Sequence, residues 1–220
     1  MDRRLILLVV AVVALVGVVN ATVYAYRWIT GTVNVEGPEA AKGAACTGFY
    51  SSADQPGIES FLPKVGTNYN APTYGTNTIT VTPGDTVCTW TVGATTYKLY
   101  ESIAVTVPVT VGSWYIQDFY GFGYYRGTGS VYVYFRVDDD ATDGGYLDKA
   151  YLIIRNTNGD EIARLNLLRL GDQTSAIELS PGGGLRLDLY FDASGTGTVR
   201  FKVGVYVTQK AEAPTIGTSP

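Results

Sequence analysis

Histidine is absent from this 220-residue chain. That removes Ser-His-Asp and Cys-His nucleophiles and every His-ligated zinc site. Cysteine is almost absent too: Cys46 and Cys88 are the only two, too few for a thiolate zinc cage. In an exported chain the pair reads as one disulfide, closing a loop of about 40 residues and contributing roughly 3–4 kcal/mol on the chain-entropy view. The alternative is two buried thiols. Charge is sparse, at 16% of residues, with 16 basic and 20 acidic side chains interspersed. A mildly acidic chain without a basic stripe is not built for nucleic acid. Beyond the first 21 residues no stretch carries a helical period, and no internal repeat of fixed length is visible.

Apolar and turn-forming residues are plentiful: 46% hydrophobic, with 26 Gly, 9 Pro and 17 Tyr. This composition suits one sizeable β-domain and excludes a disordered chain. The opening "MDRRLILLVVAVVALVGVVNA" has the form of a secretory signal peptide over residues 1–21. Arg3 and Arg4 precede a 15-residue apolar run, and Val19-Asn20-Ala21 offers the cleavage site. The run is short for a membrane span, which takes about 20 apolar residues. The membrane is thus expected as a partner only through the precursor leader. Removing the leader takes the net charge from −4 to about −5 and sends the mature chain outside the cell.

The remainder divides into residues 22–36, a sandwich over 37–208, and a loose tail over 209–220. Alternation is clearest late in the chain. Val131, Val133, Phe135 and Val137 oppose Tyr132, Tyr134 and Arg136. Leu185, Leu187, Leu189 and Phe191 oppose Arg186, Asp188, Tyr190 and Asp192. Val199, Phe201, Val203, Val205 and Val207 oppose Arg200, Lys202, Gly204 and Tyr206. Period-two patterns of this kind put each apolar set on one sheet face. Asn158-Gly159 signals a two-residue hairpin between "AYLIIRNT" and "DEIARLNLL". About ten such strands predict an all-β, jelly-roll-like antiparallel β-sandwich.

The stretch "ATVYAYRWITGTVNVEGP" is a long strand with no hairpin partner once the leader is gone. One alternate set is Val23, Ala25, Arg27, Ile29, Gly31, Val33 and Val35; the other is Tyr24, Tyr26, Trp28, Thr30, Thr32 and Asn34. Either it is the first strand of its own sandwich, or it inserts into the next copy as a donor strand. Donor insertion would use Val23, Ala25, Ile29, Gly31, Val33 and Val35 as the pocket-facing residues, with Gly31 at a point of close backbone approach.

Two other clusters carry chemistry of their own. Asp138, Asp139, Asp140, Asp143 and Asp148 gather oxygen ligands that suit calcium, or form an ordinary solvated loop. Trp28, Trp114, Tyr115, Tyr120, Tyr124 and Tyr125 are aromatic candidates for contact between subunits, or for stacking on sugars. "GFGYYRG" precedes no helix and is no nucleotide fingerprint. No pattern assigns catalytic residues, and the chain is not expected to be an enzyme.

A leader, the strand "ATVYAYRWITGTVNVEGP", and a Gly- and Tyr-rich sandwich ending "LDLYFDASGTGTVRFKVGVYVT" together resemble the TasA/camelysin-like matrix-fibre group, nearest to its archaeal bundling pilins. The resemblance implies a secreted jelly-roll subunit that polymerises head to tail by donor-strand complementation, with lateral bundling in biofilms. It does not explain the Cys46/Cys88 pair, and the lack of histidine argues against the metallopeptidase label some camelysin-type members carry. Two other readings stand beside it: a type IV-class pilin that keeps residues 5–19 as a filament-core helix, and a secreted carbohydrate-binding module.

Overall fold

The computed structural model describes residues 45–67, 72–74, 77–142 and 145–211. The leader, the strand at residues 22–36 and most of the tail lie outside the described residues. Fourteen strands follow in chain order: β1 (Cys46–Tyr50), β2 (Pro72–Tyr74), β3 (Asn77–Thr78), β4 (Thr80–Pro83), β5 (Thr86–Val92), β6 (Thr95–Tyr100), β7 (Ser102–Val109), β8 (Gly112–Arg126), β9 (Val131–Asp139), β10 (Leu147–Arg155), β11 (Glu161–Asn166), β12 (Ile177–Leu179), β13 (Gly183–Ala193) and β14 (Gly197–Thr208). A 3-10 turn lies at Ile58–Ser60.

All strand pairs are antiparallel. They form a seven-stranded sheet, β11-β10-β13-β8-β1-β6-β5, and a five-stranded sheet, β12-β9-β14-β7-β4, with β2 and β3 as a separate hairpin. The alternation read in the sequence explains the layering. Leu185, Leu187, Leu189 and Phe191 of β13 and Val199, Phe201 and Val203 of β14 all enter one core cluster between the two sheets. Phe49, Phe122 and Phe135 meet edge to face at its centre, with ring centroids 5.3–5.9 Å apart. Edge-to-face contacts of this kind add about 0.5–1.5 kcal/mol beyond area burial.

A second, smaller core lies on the outer side of the seven-stranded sheet. Tyr50 of β1 and Ile58, Leu62 and Val65 from the segment after it pack there with Trp90, Tyr97 and Leu99. Glycines on β8 and β13 make the room. A Cβ at Gly121 would lie 2.1 Å from a methyl of Val65, and one at Gly184 would lie 3.0 Å from Pro63. The β5–β6 hairpin joins β1 through a single register pair, Phe49 with Tyr100. The Cys46–Cys88 disulfide, with Cα atoms 5.5 Å apart, ties β5 to β1 beside that junction. A disulfide fits an oxidising compartment. No helix among the described residues is long and apolar enough to cross a membrane.

The β10–β11 connection corrects one expectation. Asn158-Gly159 does not make a two-residue turn: Arg155 pairs with Glu161, leaving Asn156 to Asp160 as the loop. The Asn156 side chain accepts the Asp160 N–H at 2.9 Å, and Gly159 takes φ 95°. The side-chain bond of Asn156 competes with the tight turn and wins, the usual behaviour of Asn in loops.

Candidate functional site

Three features are built by this topology. The first is an open groove of about 540 Å³ at one end of the sandwich. The five-stranded sheet stops there at β12, only three residues long and paired on one side to β9. Ile177, Leu179 and Leu185 form its apolar floor, Ile162 of edge strand β11 its exposed flank, and Gly182 to Gly184 its glycine rim. The chain enters the sandwich at this same end, because Cys46 pairs with Arg126 and Tyr124 with Gly183.

The second feature is a pair of buried carboxylates, Asp118 and Asp188, with 6% and 0% exposure. Asp188 accepts the Tyr115 hydroxyl at 2.5 Å, the Asp118 N–H at 2.6 Å and the Arg155 Nε–H at 2.7 Å. Asp118 accepts the Gly66 N–H at 2.8 Å and the Thr67 hydroxyl at 2.5 Å, with Arg186 Nε 3.5 Å away. Every carboxylate oxygen here has a donor, so the network is structural and holds the 51–67 segment on the sheet. Burial and the bond to Asp188 push the Tyr115 hydroxyl above its ordinary pKa, against a smaller opposing pull from Arg155. The bond to Asp188 in turn raises the Arg155 guanidinium.

The third is a row of tyrosines on the outer face of the seven-stranded sheet. Tyr151, Tyr190 and Tyr115 lie in register on β10, β13 and β8. The Tyr151 and Tyr190 rings are stacked at 6.2 Å and 25°, and the Arg164 guanidinium sits 5.3 Å from the Tyr151 ring centre. Tyr115 is 50% exposed.

The aromatic candidates from the sequence separate along these lines. Tyr115 reaches the surface; Trp114 is half-buried and donates its indole N–H to Thr110 O at 2.9 Å. Tyr120 and Tyr124 are fully buried in the main core, because the β8 alternation turns them inward, and so they leave the set of surface rings. Tyr125 stacks on Trp90 at 4.0 Å in the small core. Trp28 lies outside the described residues, as do the donor positions Val23, Ala25, Ile29, Gly31, Val33 and Val35. In the sequence Tyr190 is legible only as a polar-face residue of its strand, and Tyr151 only as a member of "AYLIIRNT".

The acidic cluster is split by the same alternation. Asp138 sits on the outer face of β9, 3.7 Å from Arg136 and packed over Gly204, and burial pushes its carboxyl pKa up. Asp139 is exposed and faces the opposite way along the strand. Asp140 caps the next turn by accepting the Thr142 N–H at 3.2 Å. Asp143 lies outside the described residues, and among those described no three acidic, Cys or His side chains converge on one point. No family model matches the chain, and no curated protein is significantly similar to it.

Proposed function

We propose that this chain is a secreted structural subunit of an extracellular filament, a jelly-roll sandwich that receives the 22–36 strand of another copy. The observation that carries the reading is the groove beside β12, where a short edge strand and a floor of Ile177, Leu179 and Leu185 leave space for an extended peptide. The chain also carries a strand-patterned segment ahead of β1. An added strand gains main-chain hydrogen bonds on a sheet edge and seats alternate side chains in pockets. Four buried Val or Ile side chains contribute roughly 1.5–3 kcal/mol each, and some eight hydrogen bonds roughly 1 kcal/mol each, before association costs.

The jelly-roll assignment is supported by strand order. From β7 to β14 the chain alternates between sheets except at the β10–β11 hairpin, so that β12-β9-β14-β7 faces β11-β10-β13-β8, the arrangement of two Greek keys. A head-to-tail insertion that does not close on itself produces a filament. Exchange between just two copies would close a dimer instead.

The test is electron microscopy and mass measurement on surface-derived protein, beside Val33→Asp and Ile29→Asp variants. The expected result is an N-terminus at Thr22 and filaments that both variants abolish while leaving a folded monomer. A start at Leu5, closed dimers, or filaments indifferent to both variants would overturn the reading.

A further inference from the structure

The Cys46–Cys88 disulfide has no part in the function proposed above, yet its place in the fold is specific. Cys46 opens β1, so a pull on the residues ahead of β1 enters the sandwich at this residue. We propose that the disulfide is a mechanical anchor for the root of the N-terminal segment. It passes tension from Cys46 into the β5–β6 hairpin before β1 can peel from β8. That the chain meets tension in use rests on the filament reading; the anchor itself does not.

By itself β1 is a poor anchor. It is five residues long and pairs with β6 at Phe49 alone. Its register on β8 shifts between Cys46 and Thr47. Such a shift disrupts the hydrogen-bond ladder at the end where the pull arrives. A strand peeled from that end loses its hydrogen bonds one at a time, so none shares the load with the next.

The disulfide sets a covalent bond in parallel with that weak end. Cys46 pairs with Arg126 of β8 and is bonded to Cys88 of β5. Trp90 follows two residues after Cys88, on the same face of β5, and stacks on Tyr125 of β8 at 4.0 Å and 15°. Tyr125 precedes Arg126, which closes the circuit: β1 to β5 through sulfur, β5 to β8 through the aromatic stack, β8 to β1 through the register pair. Phe61 packs against Trp90, Tyr97 and Tyr125 and locks the hairpin from the segment after β1. Gly48 lets the hairpin lie close, since a Cβ there would sit 2.9 Å from Cβ of Leu99. The far side of the circuit is firm, because β8 spans 15 residues and pairs with β13 along most of them. The bond thus joins two strands that the aromatic stack already holds together, and what it adds under load falls on Cys46.

The groove rim lies close to the same point. The Gly182 N–H donates to Tyr124 O at 2.6 Å, two residues before Arg126. Tension arriving from a strand seated in the groove would cross the end of β8 to Cys46 without passing through the main core.

The test is single-molecule pulling on the full chain through handles at its two termini. It compares the oxidised chain, the chain reduced with a phosphine and checked by alkylation mass, and Cys88→Ser. Forced opening reads the unfolding rate rather than equilibrium stability. Reduction and Cys88→Ser are each expected to add an event at roughly half the main rupture force or less. Each should also release about 150 Å more contour length, given the 42-residue separation. A second geometry pulls the C-terminus against a handle inserted after Gly129, in the exposed β8–β9 turn, so that the load misses Cys46. There the main rupture force should be the same in both redox states. If circular dichroism shows Cys88→Ser unfolded, the reduced chain decides. A terminal pull that reduction changes only in length rules out an anchor, and an equal fall in force in both geometries makes the bond a general staple; either overturns the proposal. Because single molecules are pulled, failure here is separable from failure of the filament reading.

Discussion

The fully buried carboxylate of Asp188 accepts the main-chain N–H of Asp118 at 2.6 Å, across 70 residues of sequence. Asp118 stands in a bulge of β8: Leu187 pairs with Tyr120 and Leu189 with Ile116, so three β8 residues oppose Asp188 alone. Its φ of 54° is the only positive value outside glycine among the described residues. The bulge frees one N–H and rotates the Asp118 side chain toward Gly66 and Thr67, and Asp188 supplies the acceptor that holds it there.

Asp188→Asn should therefore be costly. It leaves the Arg155 guanidinium without its anion beside a fully buried site, a change that typically costs about 3–5 kcal/mol. For a chain this size that lowers the melting temperature by roughly 6–20 °C, measurable by circular dichroism. A loss below about 1 kcal/mol would mean the network is solvated in solution.

Gly121→Ala tests the docking of the 51–67 segment. A methyl at this position would sit 2.1 Å from Cγ2 of Val65, a β-branched side chain with little freedom to move. Overpacking of this kind costs about 1–3 kcal/mol. Adding Val65→Ala should return part of that loss, and denaturant unfolding of the single and double variants reads the coupling.

Removing the disulfide with Cys46→Ser and Cys88→Ser should destabilise the chain by roughly 4 kcal/mol, given the 42-residue separation. The effect should be local first. Since β5 and β6 join β1 through one register pair, their amides should exchange with deuterium sooner than those of β13. Uniform acceleration across both sheets would contradict this.

Alkaline pH should unfold the protein through its tyrosines. Burial pushes the hydroxyls of Tyr50, Tyr115 and Tyr124 above their ordinary value of 10.0. A group whose folded pKa is raised contributes stability that is intact below the unfolded value and is lost as pH rises through the folded one. Stability should hold to about pH 10 and fall above it. Absorbance at about 295 nm should show a fraction of the tyrosines ionising only as the circular dichroism signal collapses, because phenolate burial is disfavoured. Full titration with the fold intact would contradict this.

Much of the framework was readable because it depends on neighbours in sequence. The alternations in β9, β13 and β14 run along single strands, and each puts its apolar set into the core as its period requires. The two cysteines, in a chain with no third cysteine to compete, pair as expected. The same local pattern misplaced the β10–β11 turn, where the Asn156 side chain overrides the Asn-Gly preference.

What depends on which strands lie side by side was decided only by the tertiary structure. Gly121, Gly123 and Gly184 form the seat for Tyr50, Leu62, Val65 and Pro63, which no pattern along their own strands signals. Asp188 reads in the sequence as an ordinary polar-face residue of its strand, and only the β8–β13 register joins it to Asp118 in one network. Tyr151, Tyr190 and Tyr115 become a row because three strands distant in sequence align at one level. The physical reason is common to all three. A strand's own periodicity sets which face a side chain takes, while the register between strands, set by packing of the whole core, sets what it meets there.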